Sequence, residues 1–232
     1  MRDLLVTGTD TGVGKTVIAA SLVAALRARG VRALGFKPVE TGVDGTVPAD
    51  SEILARVGEK GTGTFSSSPQ RRKRFPSPFP LLQLREPLAP AVAADRAGVS
   101  FDPEELESRV LELRQAGYTL VIEGAGGVMV PLAWDYTVLD LAERCDLDAV
   151  VVARAGLGTL NHVALTVLML QSRHITVRGI VLNGRGASPD LAELTNPSAL
   201  ARMLPGLRIL EVPHQNVDGL IAAASTIVDR LL

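Results

Sequence analysis

The 232-residue sequence predicts an α/β fold, a mostly parallel sheet with helices on both faces. Three observations support this. Short β-branched runs alternate with longer helical runs along the chain. The first run, Leu4-Leu5-Val6, passes through a glycine-containing turn into the apolar stretch 17–26. Apolar residues make up 47% of the chain, enough for a sizeable core. Nothing resembling a linker divides the sequence, so residues 1–232 read as one domain.

The composition also narrows the function. A net charge of −1 gives no broad attraction to nucleic acid or to an anionic membrane. No apolar run is long enough to span a bilayer. Cys145 is the only cysteine, which excludes an intramolecular disulfide and suits a reducing compartment. Met1-Arg2-Asp3 leads straight into a strand with no signal peptide read before it, so a cytoplasmic protein is expected.

The first strand covers about Leu4–Thr7, and the turn after it is Thr7-Gly8-Thr9-Asp10-Thr11-Gly12-Val13-Gly14-Lys15-Thr16. Strand, glycine loop and helix form the context of a phosphate-binding loop, and the fold is therefore expected to be of the P-loop NTPase type. Gly12 and Gly14 free the backbone so that successive N–H groups can wrap an anion at the helix start. Lys15 adds a charge toward the terminal phosphates, and the Thr16 hydroxyl is placed to bind Mg²⁺. The spacing departs from G-x-x-x-x-G-K-[ST], because Thr9 stands where the first glycine should be and Gly8 lies one place earlier.

The first helix should run from Lys15 to about Arg29, stop at Gly30 and be buried nearly all round. Val31–Phe36 reads as the second strand, delivering Lys37-Pro38-Val39-Glu40-Thr41-Gly42. A lysine at the carboxyl end of a strand in an open α/β sheet faces the ligand crevice, which favours a site role for Lys37 over a solvated one. Asp50-Ser51-Glu52 begins a short helix, where Asp50 or Ser51 serves as an N-cap. Residues 58–100 are the least regular. The Pro/Ser-rich, basic segment 66–80 should have no helix or strand of its own, and Arg71–Arg74 reads as a solvated loop.

Asp102-Pro103-Glu104-Glu105 starts a helix, with Asp102 as cap and Pro103 in the first turn, ending near Gln115. Thr119–Ile122 is a buried strand that presents Glu123-Gly124-Ala125-Gly126-Gly127. A carboxylate at a strand end can hold Mg²⁺, and the glycines after it leave room for phosphate. A helix near 137–144 and a strand Ala149–Ala153 follow. Gly156-Leu157-Gly158-Thr159-Leu160-Asn161-His162 then enters a helix from Leu160 to about Arg173. Its N–H groups either hold a second anion or make an ordinary βα turn, and His162 reads as structural. Arg178–Leu182 is a strand ending at Asn183. Asn196-Pro197 is expected to cap a helix ending near Leu204. Arg208–Val212 is the last strand, and a terminal helix starts at about Val217. There is no internal repeat.

Four segments together resemble the dethiobiotin synthetase family over nearly the full length: 7–16, 37–42, 123–127 and 156–162. The displaced loop glycine is itself a trait of that family. The resemblance implies a homodimeric P-loop enzyme that turns 7,8-diaminononanoate, CO₂ and ATP into dethiobiotin, ADP and phosphate, with Mg²⁺. It also implies the route. The substrate amine takes up CO₂ as a carbamate, the carbamate oxygen attacks the γ-phosphate, and the second amine displaces phosphate to close the ring.

By the same resemblance, Lys37 is the active-site lysine at the carbamate and Lys15 the phosphate-loop lysine. Thr11, Gly12, Val13, Gly14 and Thr16 would bind ATP, with Gly124, Ala125 and Gly126. Thr16, Asp50 and Glu123 match the Mg²⁺ set, with Glu52 as the rival to Asp50, which turns Asp50 from cap to ligand. Asn183 with Gly184 matches the adenine-reading position, and Pro213, His214 and Gln215 the loop beneath the base. Thr41 would contact substrate. Gly158, Thr159, Leu160 and Asn161 would take the substrate carboxylate across the dimer interface. Two features depart from the family: Ala91 stands where His often follows the second Pro, and Arg71–Arg74 has no counterpart.

Three other P-loop classes fit less well. Partition and iron-protein ATPases carry a second loop lysine where this chain has Asp10. A glutamine-dependent amide synthase needs an amidotransferase domain with a nucleophilic cysteine. A small-molecule kinase is chemically close, because the first half-reaction is itself a phosphoryl transfer.

Overall fold

The structure, a computed structural model, describes residues 2–59, 80–185, 188–213 and 226–232. The element order is β1 (Leu4–Gly8), α1 (Lys15–Ala28), β2 (Ala33–Phe36), β3 (Val39–Thr41), α2 (Asp50–Glu59), β4 (Leu82–Leu84), α3 (Pro90–Ala97), α4 (Pro103–Gln115) and β5 (Thr119–Gly127). There follow β6 (Pro131–Ala133), β7 (Tyr136–Thr137), α5 (Val138–Arg144), β8 (Asp148–Arg154), α6 (Thr159–Ser172), β9 (Val177–Arg185), α7 (Leu191–Met203) and β10 (Ile209–Pro213). A 3₁₀ turn, Asp229–Leu231, lies near the end of the chain.

Six strands form one parallel sheet in the order β10-β9-β8-β1-β5-β2. Successive side chains on a strand point to opposite faces, so each strand feeds two cores. Leu4 and Val6 of β1 pack with Ile18 and Leu22 of α1 and Leu54 of α2 on one face. Leu5 packs with Leu106, Val110 and Leu113 of α4, and with Val163 and Val167 of α6, on the other. Helices cover both faces, as the alternating pattern predicts. Helix α1 is buried along most of its length because the sheet, α2 and the 3₁₀ turn all pack against it.

Several boundaries differ from expectation. Strand β2 starts at Ala33, because Val31 donates its N–H to Leu26 O and so closes the end of α1. Strand β5 continues through the glycines to Gly127, whose partner in the register is Gly8, so Glu123 sits inside a strand. Helix α7 begins at Leu191, not at Asn196-Pro197. The Asp190 side chain accepts from Glu193 N at 2.8 Å and supplies the cap, which leaves Pro197 inside the helix. The parallel pair β3/β4, helix α3 and the β6/β7 hairpin were not anticipated. The segment 66–79 and most of the expected terminal helix lie outside the described residues.

The amino-terminal edge of the sheet is tied by charge. Asp3 accepts from Leu120 N at 2.7 Å and from Arg114 Nε at 2.6 Å, joining β1, β5 and α4. All the chemistry described below lies at the opposite, carboxyl-terminal edge.

Candidate active site

Strand order turns around at β1, with β8 on one side and β5 on the other. In open α/β sheets this is where the crevice opens at the carboxyl ends of the strands. The loop after β1 occupies it. Asp10 Oδ1 accepts from Thr11 N at 2.7 Å, and the Lys15 ammonium folds back to donate to Asp10 O at 3.0 Å. Gly8 shows why the loop glycine is displaced. A Cβ there would lie 2.7 Å from Asp10 O and 2.9 Å from Val13 Cγ2, so Gly8, not position 9, must lack a side chain. Thr9 has room, and it donates its N–H to Val152 O at 2.9 Å.

Gly14 precedes α1 at φ 94°, a left-handed conformation that disfavours any side chain. A Cβ on Gly14 would stand 2.0 Å from Asn183 Nδ2. That amide arrives from β9 and donates to Val13 O at 2.9 Å, while its own Oδ1 is buried without a partner among the described residues. Asn183 therefore braces the loop and keeps one acceptor for something else.

The centre of the site is a buried charge cluster. Lys37 Nζ donates to Asp50 Oδ2 at 2.5 Å and to Glu123 Oε1 at 2.7 Å. Glu123 Oε1 also accepts from Thr16 Oγ1 at 3.0 Å. Lys15, Lys37 and Glu123 are all buried. Burial alone would push Lys37 down, but Glu123 and Asp50 outweigh it and hold the ammonium above its ordinary value. Burial lowers Lys15, with Glu123 opposing. Burial would raise Asp50, yet the Lys37 ammonium beside it brings the carboxyl below its usual range. Burial raises Glu123, against the pull of Lys37.

A divalent cation fits this donor set. Glu123 Oε2 is buried with no hydrogen-bond partner among the described residues, and Asp50 and the Thr16 hydroxyl complete a hard oxygen set of the kind Mg²⁺ prefers. The Lys37 ammonium supplies the positive charge between the two carboxylates.

Asp50 is presented by a device that sequence reasoning missed. Glu40, buried on β3, accepts from Ser51 N at 3.2 Å, from Ser51 Oγ at 2.7 Å and from Gln83 Nε2 at 3.1 Å. It therefore caps α2 from outside the helix and sets where Asp50 points. Glu40 lies in the same 37–42 segment as Lys37 and Thr41, but nothing in its spacing marks that role.

The other expected residues lie along the same sheet edge. Gly124, Ala125 and Gly126 extend β5 past Glu123, and Thr41 ends β3. Gly184 sits beside Asn183 on β9, and Pro213 ends the neighbouring β10. Gly158 precedes α6 and Thr159 opens it, followed by Leu160 and Asn161. His214 and Gln215 lie outside the described residues.

The fold and this site define a P-loop nucleotide-binding protein of the α/β class. MinD of Pyrococcus horikoshii, solved with Mg-ADP, shares the fold. It is 16% identical with a TM-score of 0.57, over 100% of this chain and 94% of that one. A family profile described as an AAA domain matches residues 2–217. The ATP-dependent dethiobiotin synthetase BioD of Anaeromyxobacter dehalogenans is 42% identical over 88% of this chain and 86% of its own. That of Bacillus velezensis is 37% identical over 86% and 81%. The chain therefore belongs to the dethiobiotin synthetase family of AAA-domain proteins, ATP-dependent cyclo-ligases.

Proposed function

We propose that this chain joins CO₂ to 7,8-diaminononanoate and closes the cyclic urea of dethiobiotin, converting ATP to ADP and phosphate. The observation that carries this reading is the cluster of Lys37, Asp50, Glu123 and Thr16 beside the phosphate-loop lysine. Such a site offers cations to two anions at once, which a carbamate and a transferring phosphoryl group require.

The chain's residues divide the work as follows. One amine attacks CO₂, loses a proton and becomes a carbamate. Lys37, kept protonated by its carboxylate neighbours, acts on it as a fixed positive charge and not as a base. The carbamate oxygen then attacks the γ-phosphorus and ADP leaves, giving a carbamic–phosphoric anhydride. Lys15 and the loop N–H groups from Thr11 to Thr16 hold the phosphates through this step. The second amine attacks the carbonyl carbon, phosphate departs with the bonding pair, and the nitrogen gives up its proton to the departing phosphate. Thr16, Asp50 and Glu123 would hold Mg²⁺, which offsets phosphate charge. Asn183 offers its unpartnered Oδ1 to the adenine amine, with Gly184, Pro213, His214 and Gln215 around the base. Gly124, Ala125 and Gly126 leave room at the phosphates, and Thr41 contacts substrate.

Gly158, Thr159, Leu160 and Asn161 take the substrate carboxylate at the start of α6. The same helix exposes Leu165, Leu168 and Met169, with Leu157 91% exposed just before it. We assign this apolar face to the interface of a homodimer in the cytoplasm, each copy a single P-loop domain.

The test supplies the diamine, bicarbonate and Mg-ATP and follows product by mass spectrometry. Cyclic urea in step with ADP is expected. ATP turnover without it, or turnover that needs a protein or DNA partner, would refute the reading.

A further inference from the structure

Asn196 lies in the middle of α7, only 5% exposed, and its side-chain NH₂ leaves the helix. Nδ2 donates to Ala155 O at 2.7 Å and to Gly156 O at 3.0 Å. An amide has two N–H hydrogens, so both are committed to consecutive carbonyls of the glycine loop. The described chain contains no cis peptide. In a trans peptide the C=O and the N–H point to opposite sides. Turning the carbonyls of residues 155 and 156 inward to α7 therefore turns the N–H groups of Gly156 and Leu157 outward.

We propose that Asn196 is a positioning residue for substrate recognition, setting the glycine loop so that its outward N–H groups receive the substrate carboxylate. This role rests on the ligase reading above. Asn196 touches no substrate. It acts by fixing two peptide planes, and only α7 packed beside the loop brings it there.

The test compares two diamines in steady-state assays of the full-length enzyme. One is 7,8-diaminononanoate; the other is 2,3-diaminononane, which has a methyl group in place of the carboxylate. N196L keeps the branched shape and the heavy-atom count of the side chain and removes both donors. It is expected to raise KM for diaminononanoate about tenfold, the scale of a mispositioned set of charge-assisted hydrogen bonds. KM for ATP and the kinetics with 2,3-diaminononane should stay within about twofold of wild type, because pairing one substitution with one altered substrate isolates the shared contact. An equal penalty on both diamines, or none on either, would overturn the role. Should N196L fail to fold, N196S keeps one donor on a shorter arm and is read by the same ratio. A wild-type enzyme that makes no cyclic urea sinks the ligase reading and this role with it. A productive wild type with an N196L variant indistinguishable from it sinks only the role of Asn196.

Discussion

The Lys37 ammonium lies 2.7 Å from Glu123 Oε1, a contact between residues 86 positions apart. It exists because β5 inserts between β1 and β2, which brings the end of β2 next to the carboxylate on β5. Asp50 closes the cluster from α2. Lys37 is thereby held charged, aligned and out of bulk water before any ligand arrives.

Replacing Lys37 with Ala should cut cyclic-urea formation by about a thousandfold or more, the scale of losing a preorganised charge at developing negative charge. Nucleotide binding, followed by calorimetry, should survive, because Lys15 and the loop are separate from Lys37. Persistent product formation would show that Lys37 is not the carbamate's cation.

Asn183→Ala should relax adenine preference. It removes both the unpartnered Oδ1 and the bond to Val13 O. We expect the ATP-to-GTP ratio of kcat/KM to fall by about tenfold, as for loss of one or two recognition hydrogen bonds. An unchanged ratio would remove Asn183 from the base site.

Gly14→Ala should weaken ATP binding and lower the melting temperature. It strains a left-handed φ, at a cost of about 1–2 kcal/mol, and drives a methyl group into Asn183. In Gly14→Ala combined with Asn183→Ala, the two penalties should sum to less than additive, because the clash is gone and only the backbone strain remains. Strict additivity would mean that the two residues do not press on each other.

Cys145 should resist alkylation in the folded protein. It is buried, and burial pushes its thiol up to about 11 from an unfolded value of 9.0. Iodoacetamide labelling at pH 8.5, read by intact mass, should be slow until denaturant is added. A raised folded value means that the stability from the neutral thiol is fully present below about pH 9 and is lost as pH rises through about 11. Rapid labelling of native protein at pH 8.5 would contradict this.

Leu168→Glu places a charge on the exposed apolar face of α6. Light scattering should show a shift from dimer to monomer, with the diamine KM rising if the partner copy helps hold the substrate carboxylate. A variant still dimeric would move the interface elsewhere.

Particular residues show how far the sequence could be read. The strand–loop–helix at 4–28, the cap at Asp102 and the carboxylate after Leu120-Val121-Ile122 were all legible, because apolar periodicity and Gly, Pro and Asp chemistry act over a few residues. Asp102 does cap α4, accepting from Glu104 N at 2.9 Å. Asn196-Pro197 misled for the same reason: it has the local form of a helix start, but Asp190 had already capped the helix and the Asn196 amide was taken by a loop 40 positions away. Glu40 carried no signal, since its clients Ser51 and Gln83 lie 11 and 43 positions off.

By itself the sequence determined the alternation of the main sheet strands with helices, the phosphate loop and the family, because short-range patterning and motif spacing are written along the chain. Only the tertiary structure decided that Lys37 is bracketed by Asp50 and Glu123 and that the Asn196 amide reaches the carbonyls of the second glycine loop. Each of these depends on which strands become neighbours, and strand order comes from long-range pairing and two-faced burial that no local window contains.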